Sequence, residues 1–164
     1  MMSGNKQMRF MPAFAIAVLL GAGAPALAHD HDHSHDSGPA QLTLNNGKKW
    51  ATDDNLRQAM SRIRDELTTE LPAIRQDRST PGKRQKLAQE VNNQIAFMVQ
   101  NCKLDRDADA MLHLVLADII AGAEALAGPD HNAARQGAER IAQALDGYGT
   151  HFDHPGWQGV KPGN

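Results

Sequence analysis

Histidine and aspartate alternate over residues 29–36, which read HDHDHSHD. Ala26-Leu27-Ala28 stands directly before them, with small residues at the two positions a signal peptidase reads. Cleavage after Ala28 would leave a free amine on His29 and an imidazole at the third position, His31. An amine, two intervening amide nitrogens and that imidazole can surround one Cu(II) or Ni(II) ion in a square plane, the geometry such ions prefer. The His29 side chain offers a competing chelate with its own amine. His33 and His35 extend the donor set, and Asp30, Asp32 and Asp36 add negative charge. The alternation also suits loosely held Zn(II). The expectation is metal binding at His29, His31, His33 and His35, with no cofactor required. The plainer alternative is a polar spacer that aids cleavage and solubility.

A weaker constellation closes the chain. His151, Asp153 and His154 lie together, and Pro155 stiffens the segment after them. They can share a metal, or they can cover the end of the fold with their imidazoles hydrogen-bonded or facing water. Met98 and Cys102 share a helical face at a spacing of four, and Met111 and His113 come next across a short turn. Thioether, thiolate and imidazole suit Cu(I). Core packing is the favoured reading, because methionine fills irregular gaps and a lone cysteine behaves as a small hydrophobe. His113, between Leu112 and Leu114, reads as a helix-interface histidine, and His131 as a surface residue.

Catalysis has little support. Cys102 lacks an evident His partner, and no glycine-rich phosphate loop, HExxH or di-iron carboxylate set is present. Without Cys-x-x-Cys-His there is no covalent c-type haem. Met60 can offer one axial ligand to a non-covalent haem, but the fourth helix supplies no interior histidine. The chain is expected not to be an enzyme.

These groups need a scaffold, and the chain divides accordingly. Lys6 and Arg9 precede the mostly apolar stretch from Phe10 to Leu20, and residues 1–28 read as a signal peptide that sends the protein to the periplasm. Residues 29–40 form a polar arm expected to be disordered. Residues 41–157 hold the folded domain, and 158–164 a flexible tail. The full chain has 164 residues and a formal charge of −2, a balance that argues against nucleic acid as a partner. One cysteine excludes an internal disulfide, and aromatics at 4% favour close-packed helices over sheets. No apolar run reaches the ~18 residues of a membrane span, so none is expected in the mature chain.

The folded domain carries four helical patterns. Leu42, Thr43 and Leu44 alternate, Asn45-Asn46-Gly47 makes a turn, and Trp50 leads into the first helix. Thr52 is its expected cap, with Leu56, Met60, Ile63, Leu67, Leu71 and Ile74 on one stripe and Pro72 kinking or ending it. Thr80-Pro81 opens the second helix, with Leu87, Val91, Ile95, Met98 and Cys102 inward and Lys103 at its close. The third begins near Asp105 or Asp107 and is expected to be the most buried. Gly128 stops it. Asp130 caps the fourth, whose stripe is Ala134, Ala138, Ile141, Leu145 and Tyr148, and which Gly147 and Gly149 weaken. Short connections between helices of about twenty residues specify an all-α, up-down-up-down antiparallel four-helix bundle. Ala117, Ala121, Ala123, Ala134, Ala138 and Ala142 are expected to let the last two helices approach closely.

Three stretches carry a resemblance: LNNGKKWATDDNLRQAMSRIR (44–64), NCKLDRDADAMLHLVLADIIAGAEAL (101–126) and HFDHPGW (151–157). They resemble the exported proteobacterial proteins labelled DnrO-like, over nearly all of the mature chain. That resemblance implies export and no established reaction. The His-rich start resembles that of some members, which implies periplasmic metal handling. The helical layout is also similar to cytochrome b562 and cytochrome c-prime. Met60 occupies a place comparable to a first-helix ligand, whereas the fourth-helix histidine is missing. Three readings compete: an exported metal-binding or metal-buffering protein, a non-catalytic bundle docking to an envelope protein, and a haem electron-transfer bundle, which ranks last. The second predicts an exposed apolar patch around Trp50, Phe152 and Trp157.

Overall fold

A computed structural model describes residues 41–160. The signal segment, the arm with His29, His31, His33 and His35, and residues 161–164 lie outside the described residues. Four helices succeed one another: α1 Asp54–Arg75, α2 Pro81–Asn101, α3 Arg106–Ala127 and α4 His131–His151. Each packs on its neighbour in sequence, and α4 closes on α1, so the expected four-helix bundle is the observed fold.

The caps reflect side-chain chemistry. Asp130 accepts from the Ala133 N–H, and Thr80 caps α2 with Pro81 at the first turn. Gly128 ends α3. At α1 the cap is Asp53, one residue later than expected. Its Oδ1 accepts from the Leu56 N–H at 2.7 Å and its Oδ2 from the Lys103 N–H at 2.6 Å. One carboxylate thus serves the start of α1 and the residue after the Cys102 cap of α2. Thr52 instead donates its hydroxyl to the Asp153 carbonyl. Lys103 therefore acts through its backbone and lies beyond α2. Pro72 does not end α1, because it falls in the last turn, where few later bonds depend on it.

The core is Leu, Ile, Met and Ala from all four helices, including Leu56, Met60, Ile63, Leu67, Ile119, Leu126, Ile141 and Leu145. Ile95 and Cys102 are only partly buried against it. The closest approach of α3 to α4 is made by glycine. An ideal Cβ at Gly137 would stand 2.5 Å from the Gly122 carbonyl oxygen and 2.9 Å from the Leu126 nitrogen. Gly122 is equally tight, 2.7 Å from the Gly137 carbonyl oxygen. The expected alanines contribute in part: Ala123, Ala134, Ala138 and Ala142 are buried, whereas Ala117 faces water.

Nor is α3 the most buried helix. Eight of its residues are buried and eight of α4. By length and composition alone, α3 could cross a membrane, a property that core helices of soluble proteins share. Here one side packs in the bundle, and the other exposes Ala110, Ala117 and Ile120 among Arg106, Asp107, Asp109, His113, Asp118 and Glu124.

Candidate functional site

In an up-down-up-down bundle, the starts of α1 and α3 share one end with the finishes of α2 and α4. Two flanking segments close that end. Asn45 to Lys48 form a tight turn in which Asn46 (φ 49°) and Gly47 (φ 81°) both take the left-handed conformation, the signature of a type I′ turn. Trp50 then pairs with the segment after α4. Its N–H donates to the His151 carbonyl and its carbonyl accepts from the Asp153 N–H, both at 2.8 Å. The Trp50 indole N–H donates to the Thr43 carbonyl at 2.6 Å.

Beneath this strap lies an aromatic cluster. Phe152 is fully buried and stacks on Tyr148, with ring centroids 5.1 Å apart. Trp157 meets Tyr148 edge-on at 4.8 Å, and the Arg64 guanidinium sits 5.0 Å from the Trp157 ring. The ring lies where a Cβ on Gly149 would be, so Gly149 makes room for it. The two late glycines of α4 do not end the helix, which runs through both to His151. The apolar patch expected around Trp50, Phe152 and Trp157 is therefore folded inward: Phe152 is buried and the two tryptophans half-buried.

The three residues of the closing constellation part company here. His151 turns its Nδ1 to the Gly147 carbonyl of its own helix at 2.8 Å. Asp153 is exposed. His154 places Nδ1 3.0 Å from the Tyr148 hydroxyl and Nε2 3.4 Å from the Ser61 hydroxyl. Among the described residues no group of three or more His, Cys, Asp or Glu is gathered as a metal would need. Burial holds the His154 imidazole below its usual range, and Arg57 and Arg64 push the same way. Burial also raises the Tyr148 phenol. A protonated phenol donating to a neutral imidazole, which donates onward to Ser61, satisfies all three groups.

This arrangement sets a pH dependence. Between the lowered folded value of His154 and the ordinary ~6.5, the unfolded chain binds the proton more readily. Stability is therefore full above that window and falls as pH drops through it. Thermal melts from pH 8 to pH 5 should show this decline, and His154→Gln should flatten it. An unchanged slope in that variant would place the titration elsewhere.

Of the four soft-ligand residues, Met98, Cys102 and His113 line one cleft, and Met111 stands apart. Met98 is buried, and Met111 turns its sulfur to the Thr43 hydroxyl at 3.7 Å. His113 is exposed and bonds the Asp109 carbonyl through Nδ1 at 2.8 Å, so it does not sit within the helix interface. Cys102 lines a cleft of about 220 Å³ with Met98, Val99, Asp109, Leu112, His113 and Leu116. Burial pushes its thiol up to about 11, with the negative charges of Asp53 and Asp109 adding to the effect. A thiol so poised is protonated at neutral pH and is a poor nucleophile and thiolate donor. Alkylation rates should accordingly rise steeply only above pH 10. Asp53→Asn, which can still cap α1, should speed alkylation at pH 8. A wild-type rate matching a free thiol at pH 8 would refute this.

The far end carries polar groups of which the sequence singled out only His131. Arg75 grips Glu139 with two hydrogen bonds of 2.7 and 2.9 Å, which hold the carboxyl below its usual range. His131, expected at the surface, is exposed there and pairs with Asp77, which takes a left-handed φ of 55°. Arg84 is buried and donates to the Ser79 carbonyl at 2.9 Å. Neither family models, curated proteins nor solved structures yield a match to the chain.

Proposed function

We propose that the protein is a non-catalytic interaction bundle of the periplasm, with the outer side of α3 as its docking surface. One observation carries this reading: on the side of α3 away from the core, Ala110, Ala117 and Ile120 stand exposed in a stripe flanked by Asp109, Asp118 and Glu124. Ile120 is 38% exposed, Ala110 and Ala117 face water, and the helix holds no lysine and only Arg106 as a permanent cation. The engagement of His151, His154 and His131 with groups of their own chain supports it further, as does the raised Cys102 thiol. The signal-like residues 1–28 and the resemblance to exported DnrO-like proteins support the address. The test is photo-cross-linking in the native envelope from a reactive residue at position 120, with exposed Gln85 on α2 as control. Adducts specific to position 120 are expected, and their absence would end the reading.

A second reading rests on the sequence HDHDHSH after Ala28. In it, the processed arm buffers Cu(II), Ni(II) or Zn(II) through His29, His31, His33 and His35, and the bundle is its carrier. Titration of the correctly processed protein should give tight binding of one square-planar ion. Deleting residues 29–35 should abolish it, and unchanged affinity would refute it.

A further inference from the structure

One edge of an arginine guanidinium, Nε–H and Nη2–H, offers two parallel donors that match two oxygens of one oxyanion. Two arginines of the chain show that edge filled. Arg75 grips both carboxylate oxygens of Glu139 with it, and Arg140 turns it on Asp118. Arg84 leaves the same edge open. This residue is 2% exposed, and its Nη1 donates to the Ser79 carbonyl at 2.9 Å. Its Nε and Nη2 are buried with no partner among the described residues. Ser79 is buried too, and its hydroxyl likewise has no partner there.

Three buried donor groups therefore gather where the connection from α1 meets α2. Ser79 directly precedes Thr80, the cap of α2, so the guanidinium lies at the positive end of that helix dipole. Arg78, Lys83, Arg84 and Lys86 fall in a stretch, residues 78–89, that holds no acid. Glu70 of α1 reaches this stretch. Its Oε1 stands 3.9 Å from the Lys83 Nζ, and its Oε2 is buried without a partner, so it does not close the Arg84 edge. A buried guanidinium among like charges is unfavourable alone. The helix end and the neighbouring cations both favour an anion beside it.

We propose that the Nε–Nη2 edge of Arg84, together with the Ser79 hydroxyl, binds a small oxyanion: phosphate, sulfate or a short carboxylate. Arg84 donates two parallel bonds to two oxygens of the ligand, and Ser79 donates a third. The burial of both residues limits the ligand to a few heavy atoms. The bound anion ties the start of α2 to the connection before it and so stabilises the folded chain. This site is independent of the docking reading and of the outer side of α3.

Thermal melts of the purified protein at pH 7.5 and constant ionic strength, with chloride exchanged stepwise for phosphate, test this. Tm should rise saturably, by about 3–6 °C once phosphate stands tenfold above its dissociation constant. Phosphate also stabilises proteins in general by exclusion from their surface, a contribution that does not saturate. Arg84→Lys keeps the charge without the fork and should weaken the saturable part at least about tenfold. Ser79→Ala removes a hydroxyl with no partner in its own chain, so the fold should persist while binding weakens about threefold. Glu70→Gln should tighten binding, because a repelling charge leaves. Calorimetric titration should give one phosphate per chain, and acetate in parallel shows whether a planar or a tetrahedral oxyanion fits better. A Tm rise that is the same in Arg84→Lys is the general salt effect and overturns the proposal. A chain that responds to neither phosphate nor acetate overturns it as well. So does loss of the response in Glu70→Gln together with a lowered Tm, which would mean that Glu70 itself closes the fork.

Discussion

Gly137→Ala is expected to destabilise the bundle by about 2 kcal/mol net, although alanine is the better helix former. The added methyl would meet the Gly122 carbonyl oxygen at 2.5 Å and the Leu126 nitrogen at 2.9 Å. Both are backbone atoms, so no side chain can rotate away, and α3 and α4 must separate. Separation of close-packed helices forfeits dispersion contacts along the whole interface. Against this stands a propensity gain of up to ~1 kcal/mol. A fall in Tm of the order of 5–10 °C is the expected reading for a domain of this size. Gly82→Ala supplies the contrast. That glycine lies in the first turn of α2 with nothing within 4 Å of the added carbon, so only propensity acts and the protein should be slightly stabilised. If Gly137→Ala proved neutral, the close crossing of α3 and α4 would be wrong. The effect also bears on the proposed function, because the outer side of α3 is held in a position fixed by this crossing.

The same glycines show where sequence reasoning stopped. Stripes at helical spacing were legible because burial imposes the period: Leu56, Met60, Ile63, Leu67, Leu71 and Ile74 are all buried as expected. Thr80-Pro81 and Asp130 were legible because a cap acts over three residues. A glycine inside a helix reads locally as a weakness, and only the facing helix reveals that Gly122 and Gly137 permit contact or that Gly149 houses Trp157. The choice of Asp53 over Thr52 depended on Lys103, fifty positions away. The closing histidines had the same difficulty. Their spacing suggested shared coordination, but His154 is drawn to Ser61 and Tyr148 while His151 bonds its own helix. Residue types name the chemistry available, and long-range packing decides which groups meet. The exposure on α3 was hidden for a related reason. Its run of Leu, Val and Ile suggests full burial, and a four-helix bundle has no fifth helix to cover the far side, where Ile120 stands among charged residues.

Phe152→Ala is expected to cost about 3–5 kcal/mol, the range for emptying a fully buried aromatic site. The loss has two parts. The ring fills the space under Tyr148, and its removal leaves a cavity that the stacked rings cannot close without losing their own contacts. The backbone around it also carries the strap, through the bonds joining Trp50 to His151 and Asp153. Loosening Phe152 therefore frees the segment before α1 and the segment after α4 together. The protein's two tryptophans, Trp50 and Trp157, both sit at this end, so intrinsic fluorescence reports on it alone. The variant should show red-shifted emission and faster proteolysis around residues 42–50 at temperatures where the helical signal persists. Phe152→Leu, which keeps much of the volume, should recover most of the stability. Red-shifted emission with unchanged melting would separate the strap from the core and contradict the joint packing.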